Sequence, residues 1–259
     1  MHPILLSIGN IRVYSYGLML AIGFLVASFL ASKRAHVYNI EKDTVSNLGF
    51  LFLVSGIIGA RLFYVILNMS YFSSNPFEVF FIHRGGLVFY GGFISAALSG
   101  VIFAKLSKLS ILNTGDLAAP FIPLAHSFGR IGCFLNGCCY GKPTTLFFGV
   151  LFPYNDAKVY PTQAISSVGL FLIFILLFNM QKKRRFKGQI FISYFITYAI
   201  LRFITDFFRG DPSPMYLGMT IAQLLSLIIM VASIILYIKL KNQKSNSKIE
   251  IDNTGLRIK

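Results

Sequence analysis

Seven apolar segments, each about as long as a lipid bilayer is thick, run through this 259-residue sequence. The hydrocarbon core of a bilayer is about 30 Å thick and is crossed by roughly 20 mostly apolar residues in a helix. Because 55% of the residues are hydrophobic and only 13% are charged, a soluble domain of this size could not bury the apolar surface. The sequence predicts an all-α, polytopic membrane protein with seven transmembrane helices. They are expected over residues 14–32, 46–68, 87–106, 117–138, 162–180, 188–208 and 216–240.

The spans and their short connections account for residues 1–241, which we expect to form a single seven-helix membrane domain. Residues 242–259 are polar and have no helical periodicity, so a disordered tail is expected there. Residues 1–13 lack a basic start and a small-residue cleavage site. No removable signal peptide is therefore predicted in this stretch.

Lysine and arginine are distributed unevenly between alternate connecting segments. The segments after spans one, three, five and seven carry sixteen of them, whereas the segments on the opposite side carry five. Because basic residues stay preferentially in the cytoplasm, this bias predicts an outside N-terminus and a cytoplasmic C-terminus. Most of the formal net charge of +15 is thus explained by membrane orientation and by contact with anionic lipids of the inner leaflet, and no nucleic acid partner is expected.

Arginine occurs inside three of the predicted spans, as Arg61, Arg130 and Arg202. A charged side chain in hydrocarbon costs a few kcal/mol, so an arginine at such a depth indicates a functional site unless it has a structural partner. Arg202 has a candidate partner in Asp206, because residues four apart meet on one face of a helix. The predicted orientation puts Arg61 and Arg130 in the outer halves of their spans.

Other polar and aromatic side chains belong to the outer ends of the predicted spans. They are Tyr14, Tyr16, Arg84, Tyr90 and Arg209. Together with Arg61 and Arg130 they are expected to converge near the outer leaflet. Each also has a plainer interpretation, since arginines at span ends reach the aqueous interface and tyrosines are common in the interfacial belt.

His126 and Arg130 are four residues apart within the fourth span and therefore share a helix face. Gly129 and Gly132 flank Arg130 and indicate close approach of a backbone or a ligand, because glycine is costly inside a helix. A planar guanidinium can hold a phosphodiester through two N–H bonds, most strongly where the dielectric constant is low. The expected ligand is an anionic phospholipid.

At these residues, and over nearly the whole chain, the sequence resembles the bacterial prolipoprotein diacylglyceryl transferases. The family signature Gly-Arg-x-Gly-Asn-Phe-x-Asn-x-Glu-x-x-Gly aligns with residues 129–141. The positions that match it are Arg130, Gly132, Phe134, Asn136 and Gly141, in addition to Gly129. Similar segments are residues 14–18, 59–62, 85–92 and 207–209, and Asp116 with Pro120 and Pro123.

The resemblance implies transfer of the diacylglyceryl group of phosphatidylglycerol to the lipobox cysteine thiol of a prolipoprotein signal peptide. This first step of lipoprotein maturation forms a thioether, releases glycerol 1-phosphate and uses no cofactor. The implied location is the bacterial plasma membrane, with the active site facing the outer leaflet. The catalytic residues expected are Arg130, Arg209, His126 and Tyr90, and those expected to bind phosphatidylglycerol are Arg130, Arg61, Tyr16 and Asn136.

Several positions depart from the family pattern. The Asn and Glu of the signature are Cys133 and Cys138 here, and the histidine before Gly-Gly in span three is Tyr90. Residues 160–163 read Tyr-Pro-Thr-Gln in place of His-Pro-Ser-Gln. The resemblance therefore does not identify the general base. We hypothesise that His126 fills this role, the alternative being a buried, hydrogen-bonded histidine.

The three cysteines, Cys133, Cys138 and Cys139, fall at the outer end of the fourth span. Their spacing lacks the paired pattern of structural zinc sites, so no metal is expected and they are predicted to pack as small residues. A redox role stays open, because conditions outside the cytoplasm permit disulfides.

Three other functions are compatible with the sequence. A divergent phospholipid-dependent transferase would keep Arg130 but use a different acceptor. A membrane thiol oxidoreductase would depend on the three cysteines rather than on Arg130. A lipid transporter is disfavoured, because the polar residues are placed on one side of the predicted bundle.

Overall fold

The computed structural model describes residues 2–8, 11–81, 85–153, 155–210, 215–216 and 218–254. The chain is mostly helical and divides into two compact units. Unit 1 consists of Met1–Leu30 and Gly115–Lys259, and unit 2 of Ala31–Thr114. The described helices are α1 Ser15–Arg34, α2 Lys42–Leu67, α3 Met69–Ser74, α4 Phe89–Leu106, α5 Ile111–Ala118, α6 Phe121–Asn136, α7 Thr162–Gln181, α8 Gln189–Asp206 and α9 Ile221–Thr254. Short 3-10 turns occur at Ala35–Tyr38 and Pro76–Phe80.

Five of the described helices are long and apolar enough to cross a membrane: α1, α2, α4, α7 and α9. The chain is therefore a polytopic membrane protein. The two other predicted spans correspond to α6 and α8, which have 16 and 18 residues and contain Arg130 and Arg202. The seven-span count and the orientation remain predictions.

The predicted fourth span, residues 117–138, is interrupted near its start. Helix α5 ends at Ala118 and α6 begins at Phe121. Pro120 explains the break, because proline has no N–H to donate and its ring clashes with the preceding turn of a continuous helix. At the other end of the chain, α9 is helical as far as Thr254, past the predicted domain end at residue 241.

Short hairpins are the main departure from an all-α fold. Strand β1, Ile4–Ile8, pairs antiparallel with β2, Ile11–Tyr14. Strand β3, Met215–Tyr216, pairs antiparallel with β4, Met219–Thr220, immediately before α9. Helix-period hydropathy cannot reveal such pieces, because they are too short to produce a period of their own.

Unit 2 is built around α2 and α4, which approach each other along small residues. A Cβ on Gly59 would lie 2.7 Å from the carbonyl oxygen of Gly91 and closer still to the side chain of Ser95. The hydroxyls of Ser55 and Ser99 are 2.9 Å apart across the same interface. Small residues allow membrane helices to pack closely and to form such hydrogen bonds.

Unit 1 contains the packed series α6, α7, α8 and α9. Its helix α8 begins at a buried carboxylate. Asp116 is 0% exposed and accepts the backbone N–H groups of Gly188 and Phe191 at 2.7 and 2.8 Å. Its carboxylate also pairs with Arg184 at 2.8 Å. Asp116 thus satisfies the first N–H groups of α8 and fixes where that helix starts.

Helix α1 packs on α6 at two glycines of the signature segment. A Cβ on Gly132 would lie 3.1 Å from Cα of Tyr16, and a Cβ on Gly129 would lie 3.2 Å from Leu20. The close approach predicted for these two glycines is therefore present: the backbone of α1 makes it at Gly132, and the side chain of Leu20 makes it at Gly129.

Candidate active site

The side chains of His126 and Arg130 line one small cavity in unit 1, as their four-residue spacing predicts. Helices α6, α7 and α8 form its walls. Its remaining lining residues are Ser166, Leu170, Tyr198, Leu201, Arg202 and Thr205. Two guanidinium groups, an imidazole and several hydroxyl groups therefore border the same space, which favours an anionic ligand.

Arg130 has an unsatisfied donor in this cavity. Its Nε is buried and has no hydrogen-bond partner among the described residues. A buried N–H without an acceptor costs about 1–3 kcal/mol, and more when the group is charged. A ligand oxygen bound in the cavity would remove this penalty, because it would accept the N–H of Nε.

The second guanidinium, that of Arg202, is held in place by its neighbours. It pairs with Asp206 at 3.0 Å, so the predicted ion pair between residues four apart is confirmed. Thr220 donates its hydroxyl to the other carboxylate oxygen of Asp206. Thr220 and Gln223 exchange two hydrogen bonds at the start of α9, which is a capping box. Arg202 is thereby oriented through α8 and the first turn of α9.

His126 lies against an aromatic ring in the same cavity. The centroids of its imidazole and the Tyr198 ring are 5.8 Å apart. The residue is partly exposed. Its role as general base stays a prediction.

The segment after α6 brings the three cysteines together. Gly137 and Cys139 both adopt the left-handed conformation, with φ of 76° and 61°. For a cysteine this conformation is uncommon and requires support from its surroundings. It folds the chain back so that Sγ of Cys133, Cys138 and Cys139 all lie within 4.8 Å of one another. All three are free thiols.

The start of α7 holds this loop. Thr162 donates its hydroxyl to the carbonyl oxygen of Cys139 at 2.8 Å, and Gln163 donates Nε2 to that of Cys138 at 2.6 Å. Both donors belong to the Tyr-Pro-Thr-Gln segment that departs from the family pattern. Threonine and glutamine at these positions therefore position the cysteine loop.

A β-bridge holds the backbone of Arg209 next to the segment that follows the cysteines. Arg209 forms this isolated antiparallel β-bridge with Gly141, and Lys142 donates its N–H to the carbonyl oxygen of Phe208 at 2.9 Å. A Cβ on Gly141 would clash with that same carbonyl oxygen and would lie 2.7 Å from Cβ of Tyr160. Glycine is needed at position 141 because another backbone occupies the space.

The pKa of Cys139 is set by this arrangement. A side-chain hydrogen bond with Cys133 lowers the pKa of the Cys139 thiol to about 5, against the opposing effect of burial. A second hydrogen bond with Cys138 and the positive charges of Arg209 and Arg130 act in the same direction as the first. Tyr16 and the exposed Asn136 also lie beside these thiols. Unit 1 therefore has His126 and Arg130 at the cavity and Arg209, Tyr16 and Asn136 near the cysteine loop, on which Arg130 also acts.

Arg61 and Tyr90 belong to unit 2. Arg61 is 7% exposed, and its guanidinium donates four hydrogen bonds to backbone carbonyls. The acceptors are Glu78, Val79, Gly85 and Gly86, at 2.6–3.1 Å. Tyr90 lies in the first turn of α4 and is 68% exposed. His83 and Arg84, which precede Gly85 in the sequence, lie outside the described residues.

We expect Arg61→Ala to lower the thermal unfolding midpoint of the detergent-solubilised protein. The substitution leaves four partly buried carbonyls without their donor, and an unsatisfied group costs about 1–3 kcal/mol when it is fully buried, less when it is partly exposed. Arg61→Lys should recover little of the loss, because an ammonium cannot reach four carbonyls in a planar arrangement. The control is Arg12→Ala, which removes an exposed arginine of β2. An unchanged midpoint for Arg61→Ala would show that these bonds do not support unit 2.

The sequence did not single out Tyr198 and Thr205 as site residues and assigned Arg202 only to its ion pair. These residues occupy positions i, i+4 and i+7 of α8, which is the spacing of one helix face. Their shared helix face is the sequence signal that identifies them.

The fold and this site define a class of protein: a helical membrane protein with an internal cavity that two arginines line. Comparison with known proteins identifies the family. The chain belongs to the prolipoprotein diacylglyceryl transferase family, whose model matches residues 3–239. It is an enzyme of that family, a diacylglyceryl transferase.

Three relatives cover nearly the whole chain. The phosphatidylglycerol–prolipoprotein diacylglyceryl transferase of Clostridium tetani is 35% identical over 242 residues, which are 92% of this chain and 97% of that protein. The protein of the same name from Finegoldia magna is 37% identical over 252 residues, 96% of this chain and 100% of the relative. The transferase numbered 2 of Clostridium perfringens is 34% identical over 255 residues, again 96% and 100%.

Proposed function

We propose that this enzyme transfers the diacylglyceryl group of phosphatidylglycerol to the lipobox cysteine of prolipoprotein signal peptides. Family membership over residues 3–239 supports this donor and acceptor. The observation that carries the proposal is the buried Nε of Arg130, which has no acceptor among the described residues and borders a cavity that a second guanidinium also lines. A phosphodiester supplies the oxygen that this N–H lacks.

The proposed reaction is substitution at a glycerol carbon. The acceptor thiol loses its proton, its sulfur bonds to that carbon, and the bond from the carbon to the phosphate oxygen breaks. The products are a thioether and glycerol 1-phosphate. A free thiol has a pKa of about 8.5, so the site must assist deprotonation and stabilise the charge of the departing phosphate.

Each expected site residue has a proposed role. Arg130 holds the phosphodiester, and Arg209 stabilises the departing phosphate from its bridge to Gly141. His126 takes the proton of the acceptor thiol. We also propose that Tyr90 takes part in catalysis. Tyr16, Asn136 and Arg61 are proposed to bind phosphatidylglycerol. For Arg61 the surroundings favour an indirect contribution, since four carbonyls already occupy its guanidinium.

We further propose seven spans, an outside N-terminus and a cytoplasmic C-terminus, with the site facing the outer leaflet of a bacterial plasma membrane. The excess of lysine and arginine in alternate connecting segments supports this orientation. A secreted precursor presents its lipobox on that side, so donor and acceptor would meet there.

A transfer assay tests the proposal. The purified enzyme is incubated with a lipobox peptide and with vesicles of phosphatidylglycerol, and the thioether product is detected by mass spectrometry. We expect product with phosphatidylglycerol and a cysteine peptide, and none with a serine peptide or with vesicles of a zwitterionic phospholipid alone. Transfer to the serine peptide would favour the divergent transferase, whereas disulfide exchange without lipid transfer would favour the thiol oxidoreductase.

A further inference from the structure

The three cysteine thiols form a cluster to which the proposed function gives no task. Their Sγ atoms all lie within 4.8 Å of one another. In zinc–thiolate sites the Zn–S bond is about 2.3 Å, so the sulfurs of a tetrahedral site are about 3.8 Å apart. Small side-chain rotations would bring the three sulfurs to that separation around a common centre. The chain contains three cysteines in all, so the cluster uses every thiol that it has.

The backbone explains how an unusual spacing reaches this geometry. The three cysteines lack the paired spacing of structural zinc sites. In a regular helix their side chains would not all face one point. The left-handed conformations of Gly137 and Cys139 turn the chain back on the end of α6. Thr162 and Gln163 then hold the carbonyls of Cys139 and Cys138, which keeps the loop in this form.

The charges around the cluster suit a metal thiolate. Three thiolates carry a charge of −3, and a bound divalent cation leaves −1 on the complex. The guanidinium groups of Arg130 and Arg209 act electrostatically on this loop and can balance the remaining charge. Thiolate ligands select soft cations such as Zn²⁺ over Mg²⁺ or Ca²⁺.

We propose that Cys133, Cys138 and Cys139 bind one Zn²⁺, and that the acceptor thiol becomes its fourth ligand. Three protein ligands and one open position are the arrangement of catalytic zinc sites. The inference rests on the proposed function, because it assigns the zinc to activation of the acceptor. A thiol that coordinates zinc is deprotonated outright, so the metal would assist the proton transfer from the acceptor thiol to His126.

The acceptor thiol gives up its proton on binding, His126 or solvent takes that proton, and the sulfur coordinates Zn²⁺ as a thiolate. Its electron pair forms the C–S bond to the glycerol carbon while the C–O bond to the phosphate breaks and its electrons go to the departing oxygen. The thioether is a weaker ligand than the thiolate and leaves the zinc. Nothing is oxidised or reduced.

Metal content gives the first test. Detergent-purified protein is loaded with Zn²⁺, dialysed, and measured by elemental mass spectrometry. We expect one zinc per chain in the parent protein and in Lys142→Ala, which changes an exposed residue next to the loop. Cys133→Ser, Cys138→Ser and Cys139→Ser should each lose most of it. Unfolding midpoints in zinc-free buffer check that the variants fold, and removal of zinc from the parent protein by a chelator needs no variant at all.

Cadmium gives a test of the open position. Cd²⁺ in place of Zn²⁺ produces an ultraviolet sulfur-to-metal absorption band whose intensity follows the number of thiolate ligands. A lipobox cysteine peptide should raise that intensity by about one third, because a fourth thiolate joins three. The matched serine peptide should leave it unchanged. This measurement involves no lipid and no turnover.

The outcomes separate the two proposals. Parent protein that binds no zinc, or zinc-free protein with full transfer activity, overturns the zinc inference and leaves the transferase intact. One zinc per chain with a cysteine-dependent cadmium band supports the inference. The same zinc and cadmium results without any lipid transfer would preserve the metal site and overturn the proposed function.

Discussion

Replacing Arg130 with alanine is expected to reduce diacylglyceryl transfer by at least about 100-fold, the loss typical of removing one donor to a developing negative charge. Arg130 lines the cavity between α6, α7 and α8, and its Nε has no acceptor among the described residues. The truncation removes both the positive charge and the N–H groups that the phosphodiester would bind. Initial rates of peptide lipidation at several phosphatidylglycerol concentrations measure the effect.

Arg130→Lys separates charge from geometry. Lysine keeps the positive charge but offers a point charge in place of a planar fork, so we expect partial recovery at most. Arg12→Ala, at an exposed position of β2, is the control and should retain the rate of the parent protein. Full activity in Arg130→Ala, with a normal unfolding midpoint, would remove the phosphate-binding role from this residue.

Replacing Gly141 with alanine is expected to disrupt the site as severely. The new Cβ would clash with the carbonyl oxygen of Phe208 and lie 2.7 Å from Cβ of Tyr160. Neither neighbour can yield easily, since the first is backbone and the second is a Cβ. We expect about 1–3 kcal/mol of destabilisation from overpacking. Transfer should fall by more than the loss of folded protein explains, because Arg209 is bridged to Gly141 and would be displaced.

Gly17→Ala is the matched control for that substitution. A Cβ on Gly17 meets no atom within 4 Å, so the same methyl group is added without a clash. Alanine also favours the helix α1 in which it lies. Both variants are compared by unfolding midpoint and by transfer rate per folded molecule. Equal rates would indicate that the bridge at Gly141 does not position Arg209.

The membrane class and the main helices could be predicted because each apolar segment extends over about 20 residues, which is enough to give a clear signal in the sequence. The helix face of α6 could also be predicted, because the four-residue spacing of His126 and Arg130 puts both on one surface. The break at Pro120 was readable in principle, but the apolar run on either side of it favoured a single span. The hairpins before α1 and α9 were too short to produce a signal.

The cysteine loop could not be predicted, for a different reason. Its geometry depends on a left-handed Cys139, a conformation that no local pattern favours and that hydrogen bonds from a distant segment support. Arg61 illustrates the same limit. Burial predicted that it needs partners, whereas the identity of those partners, four backbone carbonyls, depends on how the chain after α3 folds back.

Direct measurement of lipid binding tests the central claim, that Arg130 holds the phosphodiester of phosphatidylglycerol. Native mass spectrometry counts the phosphatidylglycerol molecules retained by the detergent-released protein, with Arg130→Gln as the variant that keeps polarity and loses charge. We expect the parent protein to retain one phosphatidylglycerol in preference to a zwitterionic lipid of equal chain length, and the variant to lose this preference. Equal retention of phosphatidylglycerol by the folded variant and the parent protein would contradict the account.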